Sequence, residues 1–193
     1  MDSLPLSVNP PIYGRRRQQQ VVTAILGGAF VLVLINLVSQ YLSTRAGLVS
    51  AGDWDLYIPL TQPNVMMGTL VLASIAAQWA AHSVAHDQRY FAYWALGIVM
   101  VLGLAFLNQS WFLLSITPLE NGADPIAASF YAVVGVQLAM VVVGLVYTLA
   151  MGFRTLAGNY DSHYPEGLEA MALFWHITTG AFALVWYAVY ITK

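Results

Sequence analysis

Five long apolar stretches separated by polar connections organise the chain, at residues 21–42, 64–85, 90–112, 125–152 and 168–191. Each is close to the roughly 20 residues that cross a bilayer as a helix. The fourth is the longest and is expected to tilt or protrude. None alternates apolar and polar positions with the period of two that marks a barrel strand, so helices are predicted. The connections carry Pro59, Pro63, Pro118 and Pro165, and Pro125 opens the fourth stretch, all where a helix should stop or start. Residues 1–20 precede the first stretch and hold three prolines and the run Arg15-Arg16-Arg17-Gln18-Gln19-Gln20. They read as a polar arm. The first stretch is too long for a signal-peptide core, and no small-residue cleavage site follows it. The reading is all-α: an arm over 1–20 and a polytopic domain of five transmembrane helices over 21–193.

Composition strengthens this reading. Of 193 residues, 59% are hydrophobic and only 8% are charged, whereas soluble domains carry about 25% charged residues. A net charge of −2 provides no footprint for nucleic acid. The absence of cysteine removes disulfides, thiolate metal sites and iron–sulfur clusters.

Basic residues set the orientation. With the N-terminus inside, Arg15, Arg16, Arg17, Arg89 and Arg154 are cytoplasmic. Arg45 and Lys193 then lie outside, with Asp53, Asp55, Glu120 and Asp124. The expected topology is N-terminus inside and C-terminus outside.

Ionisable groups at membrane depth are costly and therefore candidates for function. His82 lies near the inner end of the second helix, with His86 one turn further on. Glu169 opens the fifth helix, and His176 shares its face two turns deeper. His82 and His176 would differ in depth by roughly 8 Å, which disfavours a haem held between them. The pair His82 and His86, with Asp87 beside it, has the i, i+4 spacing of some metal sites, but the sequence offers no further ligand to complete one. Asn36, Ser39, Gln40, Ser74, Gln78, Asn108, Gln137, Thr178 and Thr179 are expected to hydrogen-bond between helices. The ladder Ala73, Ala77, Ala81 and the pair Gly27-Gly28 permit close helix approach. Trp54, Trp111, Tyr160, Tyr164 and Tyr190 fall where an interfacial aromatic belt is expected.

Specific residues in order carry more. Gly167-Leu168-Glu169-Ala170 leads into Phe174-Trp175-His176, with Tyr190 fourteen residues later. Trp79-Ala80-Ala81-His82-Ser83 precedes Arg89. Leu102-Gly103 and Phe106 follow, then Ser129-Phe130-Tyr131-Ala132-Val133-Val134-Gly135. Over residues 63–192 this pattern resembles subunit III of the haem–copper terminal oxidases, in its short five-helix bacterial form. The departures mark a divergent member. The family's first-helix acid is absent near Phe30, its paired histidines are replaced within Val136–Met140, and acids are missing around Ser110–Leu113. Thr179 and Phe182 stand where the family has Asp and Trp.

The resemblance implies an accessory subunit with no cofactor of its own, in the bacterial cytoplasmic (inner) membrane. Haem and copper would belong to partner subunits of an O2-reducing complex, and this chain would pack on the catalytic subunit I and bind phospholipid. Respiratory complex subunits and phospholipids would be its partners, and nucleic acid would not. The first two helices would form one group and the last three another, with lipid between. Trp79, His82, Arg89, Glu169, Trp175 and His176 are the expected lipid or subunit contacts. The alternatives are an accessory subunit of a nitric oxide reductase-type complex and a stand-alone membrane transporter. A transporter should show an inverted repeat, broken helices or a charged lining, and none is evident.

Overall fold

In lipid every backbone N–H and C=O must be satisfied within the protein, which makes a continuous helix the default for a long apolar run. The computed structural model describes residues 13–53 (side chains from Gln18), 58–117, 119, 124, 126–157 and 166–192. It has five α-helices: α1 (Tyr13–Ala51), α2 (Thr61–Ala85), α3 (Arg89–Ile116), α4 (Ala127–Leu156) and α5 (Glu166–Val185). All five are long and apolar enough to cross a membrane, α5 together with the π-helical turns Trp186–Ile191 that extend it. No strand occurs among the described residues. Trp54, Asp55, Pro118, Glu120, Pro125, Tyr160, Tyr164, Pro165, Lys193, residues 1–12 and the side chains of Arg15, Arg16 and Arg17 lie outside this description.

Several helices outrun their apolar stretches. α1 begins at Tyr13, inside the arm, and reaches Ala51. Arg and Gln are good helix formers, so propensity carries the helix on once lipid has nucleated it. The short connection between α2 and α3 is a Schellman turn: Gln88 N donates to Ser83 O at 2.8 Å and Asp87 N to Val84 O at 3.0 Å. Asp87 holds the left-handed position, φ 57°, usually given to glycine.

Packing departs from the two-group arrangement. Among the described residues the backbones of α1 and α2 do not come together. α1 packs on α4 and α5, and α2 packs on α3 and α5. α5 therefore sits between α1, α2 and α4, so the described helices do not divide into a first pair and a last trio. The reason lies in three close approaches. At Gly27 of α1 an added Cβ would lie 2.8 Å from Ile177 Cδ1 of α5. Gly103 of α3 and Gly144 of α4 seat Trp175 of α5, with ring atoms 3.0 and 3.2 Å from where their Cβ atoms would be. Lipid tails are as apolar as leucine, so such fits, together with hydrogen bonds, decide helix partners.

The Ala73, Ala77, Ala81 ladder is fully buried, as close packing requires. At the other end of α5, Arg45 of α1 donates to the backbone oxygen of Thr192, and Trp186 Nε1 donates to Asn64 Oδ1 of α2 at 2.8 Å. Tyr190, at the end of the last span, is buried within the bundle and packs in the same core as Tyr41. Trp111 is 77% exposed near the end of α3, the position a belt residue takes.

Candidate functional site

α2 and α5 run antiparallel, and three side-chain contacts set their register. These are Asn64 with Trp186, the Leu70 carbonyl with Thr179 (3.1 Å), and Gln78 with His176 (3.2 Å). That register puts Glu169 level with His82, at the end of the bundle where α2 turns into α3. Gln78 lies one turn deeper than His82 on α2, about 6 Å, and His176 two turns deeper than Glu169 on α5, about 10.5 Å, and their side chains meet between these levels.

The six expected contact residues fall into three environments. Trp79, His82 and Arg89 are exposed around the α2–α3 turn. The Trp79 ring lies 6.4 Å from that of Phe91, and the His82 ring 4.1 Å from that of His86. His86 Nδ1 approaches His82 O at 2.9 Å, so the two imidazoles form one outward-facing stack. Glu169 is half-buried and faces α1, where Gln20 Nε2 donates to its Oε2 at 2.9 Å. Glu169 and His176 thus share a helix yet serve different neighbours. His176 is exposed and meets Gln78.

Trp175 is the correction. It is fully buried, and its Nε1 donates to Thr148 Oγ1 at 2.9 Å. Its surface is spent inside the chain, so it touches neither lipid nor another subunit. Its place between two glycines is what makes an indole fit at this crossing.

The amides and hydroxyls divide in the same way. Gln137 Nε2 donates to Thr178 O at 3.3 Å across the α4–α5 contact, deep in the core. Gln109 and Thr69 join α3 to α2 at 3.1 Å. Ser74 and Thr178 instead bond back to their own helices. Asn36 and Gln40 pair with each other on the outer face of α1 (3.1 Å). No group of three or more His, Asp or Glu close enough to hold a metal occurs among the described residues.

Two partners were not legible in advance. Gln20 falls in the polar arm because the apolar stretch ends there, and only the helical continuation of α1 brings it to Glu169. Gln78 was visible as a polar residue on α2. Its pairing with His176, 98 residues away, needs the helix register.

Curated relatives provide a comparison. The chain is 25% identical over 133 residues to cytochrome c oxidase subunit 3 of Strongylocentrotus purpuratus, which is 68% of this chain and 49% of that protein. It is 25% identical over 134 residues to the subunit 3 of Ovis aries, 68% and 51% of the two chains. It is 26% identical over 136 residues to that of Homo sapiens, 69% and 50%. The chain spans about half the length of the curated relatives it matches. No protein-family model matches it.

Proposed function

We propose that the chain is an accessory subunit, of the cytochrome c oxidase subunit III kind, in a respiratory terminal oxidase that reduces O2 to water. The observation that carries this reading is the likeness to several subunit 3 proteins over two thirds of the chain, on a five-helix membrane fold. In this reading the chain has no redox centre, and haem and copper reside in the catalytic subunit. The exposed faces of α2 and α5, carrying Trp79, His82, Gln78 and His176, pack on that subunit. Polar side chains turned outward at membrane depth favour a protein neighbour over lipid, because hydrocarbon satisfies none of their hydrogen bonds. The Gln20–Glu169 bond holds α1 in place behind that surface. Arg89 takes a phospholipid headgroup. The N-terminus is cytoplasmic, and the membrane is the bacterial inner membrane.

The test is a gentle pull-down of the tagged protein from its native membrane, with a reduced-minus-oxidised visible spectrum of the eluate. Haem bands together with a large polytopic subunit are expected, and band positions would name the haem. A colourless, partnerless preparation would overturn the oxidase reading and bring the transporter reading forward.

A further inference from the structure

Two imidazoles stack at the C-terminal end of α2. His82 is in its last turn and His86 is its C-cap, four residues on and on the same face, and both are exposed. Their ring centres lie 4.1 Å apart, and His86 Nδ1 lies 2.9 Å from His82 O. A carbonyl oxygen only accepts, so Nδ1 carries the proton and donates it to this bond. In the neutral ring the lone pair is then on Nε2. Metal-ligating histidines are held in this way, one nitrogen on the ion and the other donating to a carbonyl or a carboxylate. The ring nitrogens of His82 make no hydrogen bond among the described residues, so its χ2 torsion is open to turn. A tetrahedral ion with Zn–N bonds of about 2.0–2.1 Å holds two nitrogens roughly 3.4 Å apart. Rings stacked at 4.1 Å need only a turn of His82 to offer that span.

The end of a helix that bears the pair favours a cation, because the last carbonyls carry the negative pole of the helix dipole. The charged groups around it are mixed. Asp87 adjoins the pair in the turn, and Glu166 and Glu169 open α5 at the same end of the bundle. Arg89 and Arg154 oppose them there, as do Arg15, Arg16 and Arg17 at the start of α1, whose side chains lie outside the described residues. Asp87, Glu166 and Arg154 already have interactions within the chain, and Glu169 accepts from Gln20. Selectivity therefore falls to the imidazole nitrogens. These suit borderline divalent ions such as Zn2+, Cu2+ and Ni2+, whereas Mg2+ and Ca2+ take oxygen ligands.

We propose that His82 and His86 form a two-imidazole site for one divalent transition-metal ion of the Zn2+ and Cu2+ class, with water filling the remaining positions. The ion ties the last turn of α2 to its cap, where the chain turns into α3. The site goes beyond the oxidase reading and does not rest on it. His82 belongs to the face assigned to the catalytic subunit, so in that complex the ion would lie at the edge of the contact. Metal binding is measured on the isolated chain and the oxidase reading by what co-purifies, so failure of either leaves the other standing.

The experiment is a calorimetric titration of the full chain with Zn2+ in mild detergent, after preparation without a histidine tag and stripping with a chelator. One Zn2+ per chain is expected, undiminished by excess Mg2+. His82→Ala and His86→Ala change exposed positions and should each weaken binding by about tenfold or more, since even outer-sphere changes around a metal cost about 10–100-fold. The chain has four histidines. His163→Ala combined with His176→Ala leaves only the pair and should bind as the unsubstituted chain does. Glu169→Gln should bind equally well. With Cu2+ as the probe, the electron paramagnetic resonance spectrum should show two coordinated nitrogens. Absence of saturable Zn2+ binding would overturn the proposal, as would full binding by either single histidine variant or loss of binding in the double variant. Displacement by Mg2+, or loss of binding in Glu169→Gln, would overturn it by placing the ion on carboxylates.

Discussion

His176 and Gln78 meet at 3.2 Å across the contact between α5 and α2, and both face out of the bundle. This one bond leaves further donors and acceptors of the pair pointing away from the chain. In hydrocarbon such groups are costly, and a neighbouring protein is the economical way to satisfy them. His176→Ala is therefore expected to lower recovery of the assembled complex while turnover per haem in the recovered complex stays near normal. Measuring both in one preparation separates packing from chemistry. Unchanged recovery with collapsed turnover would assign His176 to proton delivery.

The chain has no cysteine, so an introduced pair reports without background. A Cβ built on Gly27 lies 3.5 Å from the Cβ of Ile177, within the range of a disulfide, about 3.5–4.5 Å. Gly27→Cys with Ile177→Cys should cross-link α1 to α5 under mild oxidation, seen as a mobility shift reversed by reductant. An arrangement with α1 paired on α2 would leave these thiols apart and the band unshifted.

Glu169 tests how α1 is held. Glu169→Gln keeps a hydrogen-bonding oxygen for Gln20 and should leave the Gly27–Ile177 cross-linking rate nearly unchanged. Glu169→Leu removes the acceptor, and an interhelical bond in a membrane is worth about 1 kcal/mol or less. The cross-linking rate should then fall severalfold. Equal rates in the two variants would show that Gly27 packing alone positions α1.

Trp175 is a stability residue. Trp175→Phe deletes the N–H donor but leaves Thr148 bonded to Gly144 O, so about 1 kcal/mol is expected. Trp175→Ala empties the space between Gly103 and Gly144 and should cost about 3 kcal/mol or more. Loss of helicity in a detergent denaturation series would report both. Equal costs would mean that the hydrogen bond, not the packing, dominates.

At the α2–α3 turn the left-handed Asp87 gives a backbone test. Asp87→Val places a branched side chain at φ 57° and should destabilise by about 1–2 kcal/mol. Asp87→Gly suits that conformation, so its unfolding midpoint should lie above that of the valine variant. The reverse order would show that the carboxylate, rather than the backbone, is what the turn requires.

Hydropathy and length alone determined that five helices form, and where each has its apolar centre. Lipid offers the backbone no hydrogen bonds, so an apolar run of that length has little choice of structure. The polar residues of interest were equally plain, because ionisable groups stand out in such runs. Which face of each helix is buried was a different matter. Inside and outside are almost equally apolar here, and no amphipathic stripe marks the inward side. Trp175 and His176 are neighbours in sequence, yet one is the centre of the core and the other faces outward. The steric fit of Trp175 against Gly103 and Gly144, and of Ile177 against Gly27, settles that only once five helices are brought together. The pairs Gln20 with Glu169 and Gln78 with His176 arise from the same step. Each spans about a hundred residues or more, and only the tertiary register decides which distant side chain meets which.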